Sequence, residues 1–353
     1  MSEELTIDLE RALVLRDRGA LLVDVRTPAE FAEATIPGAI NVPIFSDAER
    51  AEVGTLYKQQ GKQIARRLGI RLVAPKIPGL IEQVETAWRQ GSGPVIVFCW
   101  RGGMRSKALT AFLNLAGIPA RQLQGGHKGF RSLVCDFFER GEWGRLLVLR
   151  GMTGVGKTRL LKRLAGEGYP VVDLEGLAGH RGSAFGALGL PPQPSQKGFE
   201  AALWDELRQI PPGSHALAEG ESRHIGRLQL PPKVYAALQQ ERSLWINASL
   251  DYRTRVILED YPALDELRES FVPPITALKP RLGSEAVGRM LTLLEQGNWA
   301  ELVRQLMVLY YDPLYDHTRP DRRIEIDIEP EDQGIEKLKA AIAEVLATAV
   351  DAQ

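Results

Sequence analysis

Short, nearly unbroken apolar runs alternate along this chain with longer segments in which apolar residues recur at helical spacing. A continuous run too short for a helix reads as a strand buried on both faces. Its alternation with helices predicts an α/β fold built on a largely parallel sheet. In the first half, the runs at 21–26 and 95–98 predict strands, and residues 36–43, with Pro37 and Gly38, predict a turn feeding another. Pro28 after Thr27 predicts a capped helix start, because proline suits the first helical turn and threonine can accept from its amides. Helices are expected at 77–88 and 106–115. Beyond residue 130 the pattern restarts. Residues 133–142 read as a short linking helix, and strands are expected at 145–149, 170–173, 216–219, 244–247 and 324–328, with helices between them and a helical C-terminal segment. Two domains follow, 1–137 and 145–353, joined by a linker at 138–144; a chain of 353 residues can supply a core to each. The Pro- and Gly-rich stretch 186–198 predicts a loop or lid.

Composition narrows the class. With 44% hydrophobic and 25% charged residues the chain is ordinary globular material. Met1-Ser2-Glu3-Glu4-Leu5 lacks the basic flank and apolar stretch of a secretion signal, and no run approaches the roughly 20 apolar residues of a membrane span. Cys99 and Cys135 are too few for a disulfide framework or a metal cluster. The expectation is a soluble, cytoplasmic protein of a reducing compartment, with no membrane partner and no tightly bound cofactor. Charge adds more. From 86 to 135 there is no Asp or Glu, yet Arg89, Arg101, Arg105, Lys107, Arg121, Lys128 and Arg131 all fall inside. A formal net charge of −1 for the whole chain makes this zone stand out, and it expects an anion, either nucleic acid or a small oxyanion. Residues 57–75 form a second basic stretch, with Lys58, Lys62, Arg66, Arg67 and Arg71 and no acid.

Inside the basic zone, Cys99 closes the apolar run at 95–98 and opens Trp100-Arg101-Gly102-Gly103-Met104-Arg105-Ser106. Successive amides of such a loop can turn inward into an anion-binding nest at a helix start. With Arg101 and Arg105 they would lower the thiol pKa, so Cys99, Arg101 and Arg105 are the candidate catalytic residues and Trp100, Gly102, Gly103, Met104 and Ser106 the candidate cradle. A second anion site follows the run at 146–149. Gly151-Met152-Thr153-Gly154-Val155-Gly156-Lys157-Thr158 has the spacing of a phosphate loop between strand and helix. Its glycines let the backbone wrap a diphosphate, Lys157 adds a point charge, and Thr158 can hold Mg2+. Asp173 and Glu219 end neighbouring strands and are candidates for acid–base work or magnesium binding. His180, Arg181 and Arg223 follow those strands as candidate phosphate or RNA contacts at the carboxyl edge of the sheet.

Asp24-Val25-Arg26-Thr27-Pro28-Ala29-Glu30-Phe31 with Ile36-Pro37-Gly38-Ala39-Ile40-Asn41-Val42-Pro43 resembles the rhodanese signature, and Cys99 falls where that family carries its sulfur-accepting cysteine. A rhodanese-like domain ahead of a P-loop NTPase-like domain, together with the Cys99 loop, residues 173–186 and Glu221-Ser222-Arg223, resembles the tRNA 2-selenouridine synthases over nearly the whole chain. The resemblance implies conversion of wobble 2-thiouridine in tRNA to 2-selenouridine, first by S-geranylation with geranyl diphosphate and then by selenation with selenophosphate. It implies geranyl diphosphate and selenophosphate as substrates, tRNA as partner, and a selenophosphate-supplying enzyme nearby. Five residues separate Cys99 from Arg105, more than in ordinary rhodaneses, and the larger ring suits a tetrahedral anion. Two readings stay open beside this one. The first is a rhodanese-fold sulfurtransferase or cysteine phosphatase with a nucleotide-binding domain; the second is a nucleotide-regulated docking module.

Overall fold

A computed structural model describes residues 5–89, 93–261, 264–316 and 319–350 of the protein. The chain divides into two compact units. One takes in the residues up to Arg140 together with Glu200–Asp205, the other Gly141–Phe199 and the residues from Glu206 onward.

The first unit is built on a five-stranded parallel sheet. Its strands run in the order Thr6–Ile7, Ala120–Leu123, Val95–Phe98, Leu22–Asp24 and Ile40–Asn41. Every residue of the central strand Val95–Phe98 is buried, which is why the run carries no polar alternation. The helix Met104–Leu115 begins two residues earlier than its apolar pattern indicates, because the Cys99 loop turns directly into it. The helix Pro28–Glu33 carries the expected Thr27 cap as a full capping box with Glu30. The basic stretch at 57–75 lies across two helices, Asp47–Gln60 and Lys62–Val73, with Ala65 and Val73 turned inward and its five cations exposed.

The expected linking helix at 133–142 is not a separate element. It is the second half of one helix, Gly126–Arg140, whose Phe130, Val134 and Phe138 form a buried stripe one turn apart. The chain between the units is correspondingly short, since the next strand begins at Arg145.

The second unit also has a five-stranded parallel sheet, ordered Arg323–Asp327, Ser243–Asn247, Arg145–Gly151, His215–Glu219 and Val171–Val172. The strand feeding the phosphate loop is therefore central, like the strand feeding Cys99 in the first unit. The loop expected at 186–198 ends earlier, because Ser195 Oγ accepts from the Gly198 N–H and starts the helix Gln196–Leu207. A cluster of helices between Leu250 and Asp316 has its own core of Phe271, Ile275, Met290, Leu294 and Leu306. Both cysteines are free, and among the described residues no helix is long and apolar enough to cross a membrane.

Candidate functional site

The first site is the carboxyl end of the strand Val95–Phe98. Cys99 is 3% exposed, and its Sγ accepts the Gly103 N–H at 3.2 Å and lies 3.3 Å from Ser106 Oγ. Burial pushes the thiol pKa up. The Ser106 side chain and backbone, the Gly103 N–H and the Arg105 charge outweigh burial and hold it below the ordinary value. Gln122 fixes the loop from the neighbouring strand by donating to the carbonyls of Gly102 and Gly103 and to Ser106 Oγ. Trp100, Arg101 and Met104 stand exposed around the thiol.

Two pieces of this site escape the sequence. Arg105 donates through both terminal nitrogens to Glu30, at 2.6 and 3.2 Å, instead of standing free. Glu30 also accepts from the Thr27 N–H, so the capping-box carboxylate fixes the guanidinium. Burial pushes the Glu30 carboxyl up, but Arg105, Thr27 and Arg26 more than reverse this and hold it below the usual carboxylate range. The second piece is Gly126. Its φ is +56°, and a Cβ there would sit 2.2 Å from the Cys99 carbonyl oxygen. That close approach lets the N–H groups of His127 and Lys128 donate to the carbonyls of Cys99 and Trp100. The pair Gly125-Gly126 was the signal available for this buttress. Asp24 and Arg26 of the rhodanese-like signature are a buried ion pair at the end of the adjoining strand Leu22–Asp24, with Arg26 also donating to the Ala34 carbonyl.

The second site is a cavity of about 430 Å³ at the carboxyl end of the other sheet. Thr153, Gly154, Gly156, Lys157 and Thr158 line it, as do Asp173, His180 and Arg181. Gly151 and Val155 do not. Val155 is buried in the core beneath the loop, and Gly151 ends the strand against the Ile246 carbonyl. Arg253 braces the loop from behind by donating to the Thr153 carbonyl while paired with Asp312.

The acidic partners differ from those expected. Glu219 is fully buried off the cavity wall, where it accepts the Leu174 N–H and steadies the helix Leu174–Ala178. Burial, with the charges of Asp173 and Glu175, pushes its pKa up to about 9, so it is a neutral acid at pH 7. The carboxylates facing Lys157 are Glu175 and Glu221, both lining the cavity. Thr158 Oγ donates to Glu175 at 3.0 Å. Burial raises both carboxyls, and Glu221, beside the Glu175 charge, is pushed up to about 7. Burial would push the Lys157 ammonium down, but Tyr315, Glu175, Glu221 and Glu219 together raise it, so it stays charged. Gly182, with φ +59°, brings its backbone onto both carboxylates, since a Cβ there would lie 2.7 Å from Glu175 and 2.8 Å from Glu221.

The remaining expectations divide. Burial, then the Arg181 charge, lowers the His180 pKa, which leaves a neutral imidazole at pH 7. Arg181 is tied to the Leu188 carbonyl and stacks 4.4 Å from the Tyr261 ring centre. Arg223 is exposed and does not line the cavity. Among the described residues no cluster of three or more His, Cys, Asp or Glu has metal-holding geometry.

The two sites thus lie at the ends of central parallel strands, one holding a low-pKa thiol and the other a lysine among protonatable carboxyls. Each unit matches the model of a known domain family. Residues 144–344 match the model of the tRNA 2-selenouridine synthase AAA domain, and residues 8–133 match that of the rhodanese-like domain. The tRNA 2-selenouridine synthase of Bdellovibrio bacteriovorus is 35% identical over 83% of this chain and 87% of its own. That of Cupriavidus necator is 35% identical over 87% of this chain and 90% of its own. That of Pseudomonas syringae is 32% identical over 90% and 93%. With these matches across both units, the chain belongs to the tRNA 2-selenouridine synthase family.

Proposed function

We propose that this protein replaces the sulfur of 2-thiouridine at the tRNA wobble position with selenium in two transfers. In the first, the thiocarbonyl sulfur attacks the allylic carbon of geranyl diphosphate. A carbon–sulfur bond forms, the carbon–oxygen bond breaks, diphosphate leaves with the electron pair, and the base ring gives up its nitrogen-bound proton. In the second, the selenium of selenophosphate adds to carbon 2 of the base. Geranylthiolate leaves and takes up a proton, and water cleaves the selenium–phosphorus bond to release phosphate.

The phosphate loop supports the first transfer. Lys157 and the amides around Gly154 and Gly156 suit a diphosphate whose charge grows as it departs. Glu221, with a pKa pushed up to about 7, is suited to take the ring proton near neutrality. Thr158 and Glu175 offer oxygen ligands of the kind Mg2+ takes, and an ion held by them would supply further neutralisation of the diphosphate. The Cys99 loop, with its thiol, Ser106 and the nearby Arg105, supports binding of selenophosphate for the second transfer.

The observation that carries this reading is one cavity lined by Lys157 together with Glu175 and Glu221, suited to grip a diphosphate and accept a proton together. Two variants test it on tRNA containing 2-thiouridine. Lys157→Ala loses geranylation by about a hundredfold or more, the scale of one lost charge stabiliser. Cys99→Ala still geranylates but fails to selenate tRNA that already carries S-geranyl-2-thiouridine. Normal geranylation by the Lys157 variant would show that the diphosphate is bound elsewhere.

A further inference from the structure

Beside the Cys99 loop the first unit holds a second cavity that the two transfers as described leave without a role. It encloses about 370 Å³, within the range of pockets for small organic ligands, between the helices Asp47–Gln60, Lys62–Val73 and Met104–Leu115. Phe45, Val53, Ala65, Ile77, Ala108 and Phe112 form its apolar walls. At its mouth Tyr57, Ile70 and Met104 are each more than half exposed, an apolar surface that a solvated protein ordinarily avoids. Arg50, Lys62, Arg66 and Arg105 also line it, and no acidic residue does. Of these cations only Arg105 has an ion-pair partner among the described residues. Met104 and Arg105 belong both to this cavity and to the loop that holds the thiol.

An apolar chamber rimmed by Arg50, Lys62 and Arg66, cations with no ion-pair partner among the described residues, asks for a ligand that is greasy at one end and polyanionic at the other. We infer that this cavity seats the ten-carbon chain of S-geranyl-2-thiouridine during selenation, with the rim cations on the phosphates of the surrounding tRNA. The inference rests on the proposed two-transfer reading and adds where the alkyl chain sits when selenium arrives. A branched hydrocarbon fills such walls without leaving a polar group unsatisfied. Seating it would hold the carbon bearing the departing sulfur close to the Cys99 loop, so that binding energy from a remote chain promotes reaction at the base. A second copy of this chain is a poorer occupant, because a two-fold contact through this face would bring the acid-free, cationic rims of both copies together.

Chain length is the direct probe. tRNAs bearing preformed S-geranyl- or S-dimethylallyl-2-thiouridine are given to the full protein with selenophosphate, and kcat/KM for 2-selenouridine formation is compared. The wild type favours the geranyl substrate by about tenfold or more, since each added carbon in an apolar pocket contributes discrimination. Ala108→Phe and Val53→Phe, which fill the cavity from two walls, bring that ratio to about one or below. The ratio is internal to each protein, so partial misfolding lowers both rates without moving it. A wild type indifferent to chain length overturns the inference, as do filled variants that keep the preference. A self-associating wild type made monomeric by Ile70→Asp would assign the face to a second copy and equally overturn it. Failure of the wild type to convert either alkylated tRNA would instead overturn the two-transfer reading itself.

Discussion

Arg105 sits close enough to Cys99 to lower the thiol pKa, yet its guanidinium is held by Glu30. Glu30 thus fixes the guanidinium beside the loop through both of its terminal nitrogens. Thiolate character here comes chiefly from Ser106, whose side chain and backbone offset burial. Ser106→Ala therefore moves the pH midpoint of Cys99 alkylation upward. Each unit of that shift lowers thiolate reactivity at fixed pH by about tenfold. In the other cavity the proposed acid–base group for geranylation is Glu221. A base works deprotonated, so geranylation rises with pH through about 7, and Glu221→Gln removes that rise and lowers the rate by about a hundredfold or more. A pH–rate profile of single-turnover geranylation checks both. The cysteine, its loop and the phosphate loop were legible because each is a contiguous spacing. Glu30 and Glu221 were not, because their importance comes from partners far away in sequence, Arg105 for the first and Lys157 for the second.

Among the elements, the strands were readable wherever both faces are buried, as at Val95–Phe98 and His215–Glu219. The helix Gly126–Arg140 was only half read, because its glycine-bearing start resembles a loop and its value lies in packing on the Cys99 carbonyl. The helical cluster after Leu250 gave no distinct signal, since its core assembles from several elements at once. Gly126→Ala places a Cβ against that carbonyl in a left-handed backbone, which costs about 1–3 kcal/mol for the conformation alone. It lowers the thermal midpoint and slows selenation, while geranylation proceeds. Glu219 steadies the helix Leu174–Ala178 as a neutral acid. Its folded pKa lies above the unfolded value, so stability present at low pH declines as pH rises toward about 9. Glu219→Gln retains the acceptor for the Leu174 N–H and flattens this decline in thermal melts between pH 5 and pH 9.

At the scale of the whole molecule, a near-neutral chain with a net charge of −1 carries two acid-free basic stretches, 57–75 and 86–135, both in the first unit. Lys58, Lys62, Arg66, Arg67, Arg71, Arg101, Lys107 and Lys128 are all exposed on the first unit. That distribution suits a polyanionic partner, and tRNA affinity should fall steeply with added salt, by about 0.7–0.9 log units per log of salt for each phosphate neutralised. The second unit contributes a cavity of about 430 Å³ lined by Lys157 and the first the Cys99 loop with an apolar chamber beside it. The account holds that alkylation at one must precede selenation at the other. Mass spectrometry of wobble nucleosides after single-reagent omission tests this order directly. Geranyl diphosphate alone gives S-geranyl-2-thiouridine, selenophosphate alone leaves 2-thiouridine unchanged, and the two together give 2-selenouridine. Formation of 2-selenouridine in the absence of geranyl diphosphate would contradict the account.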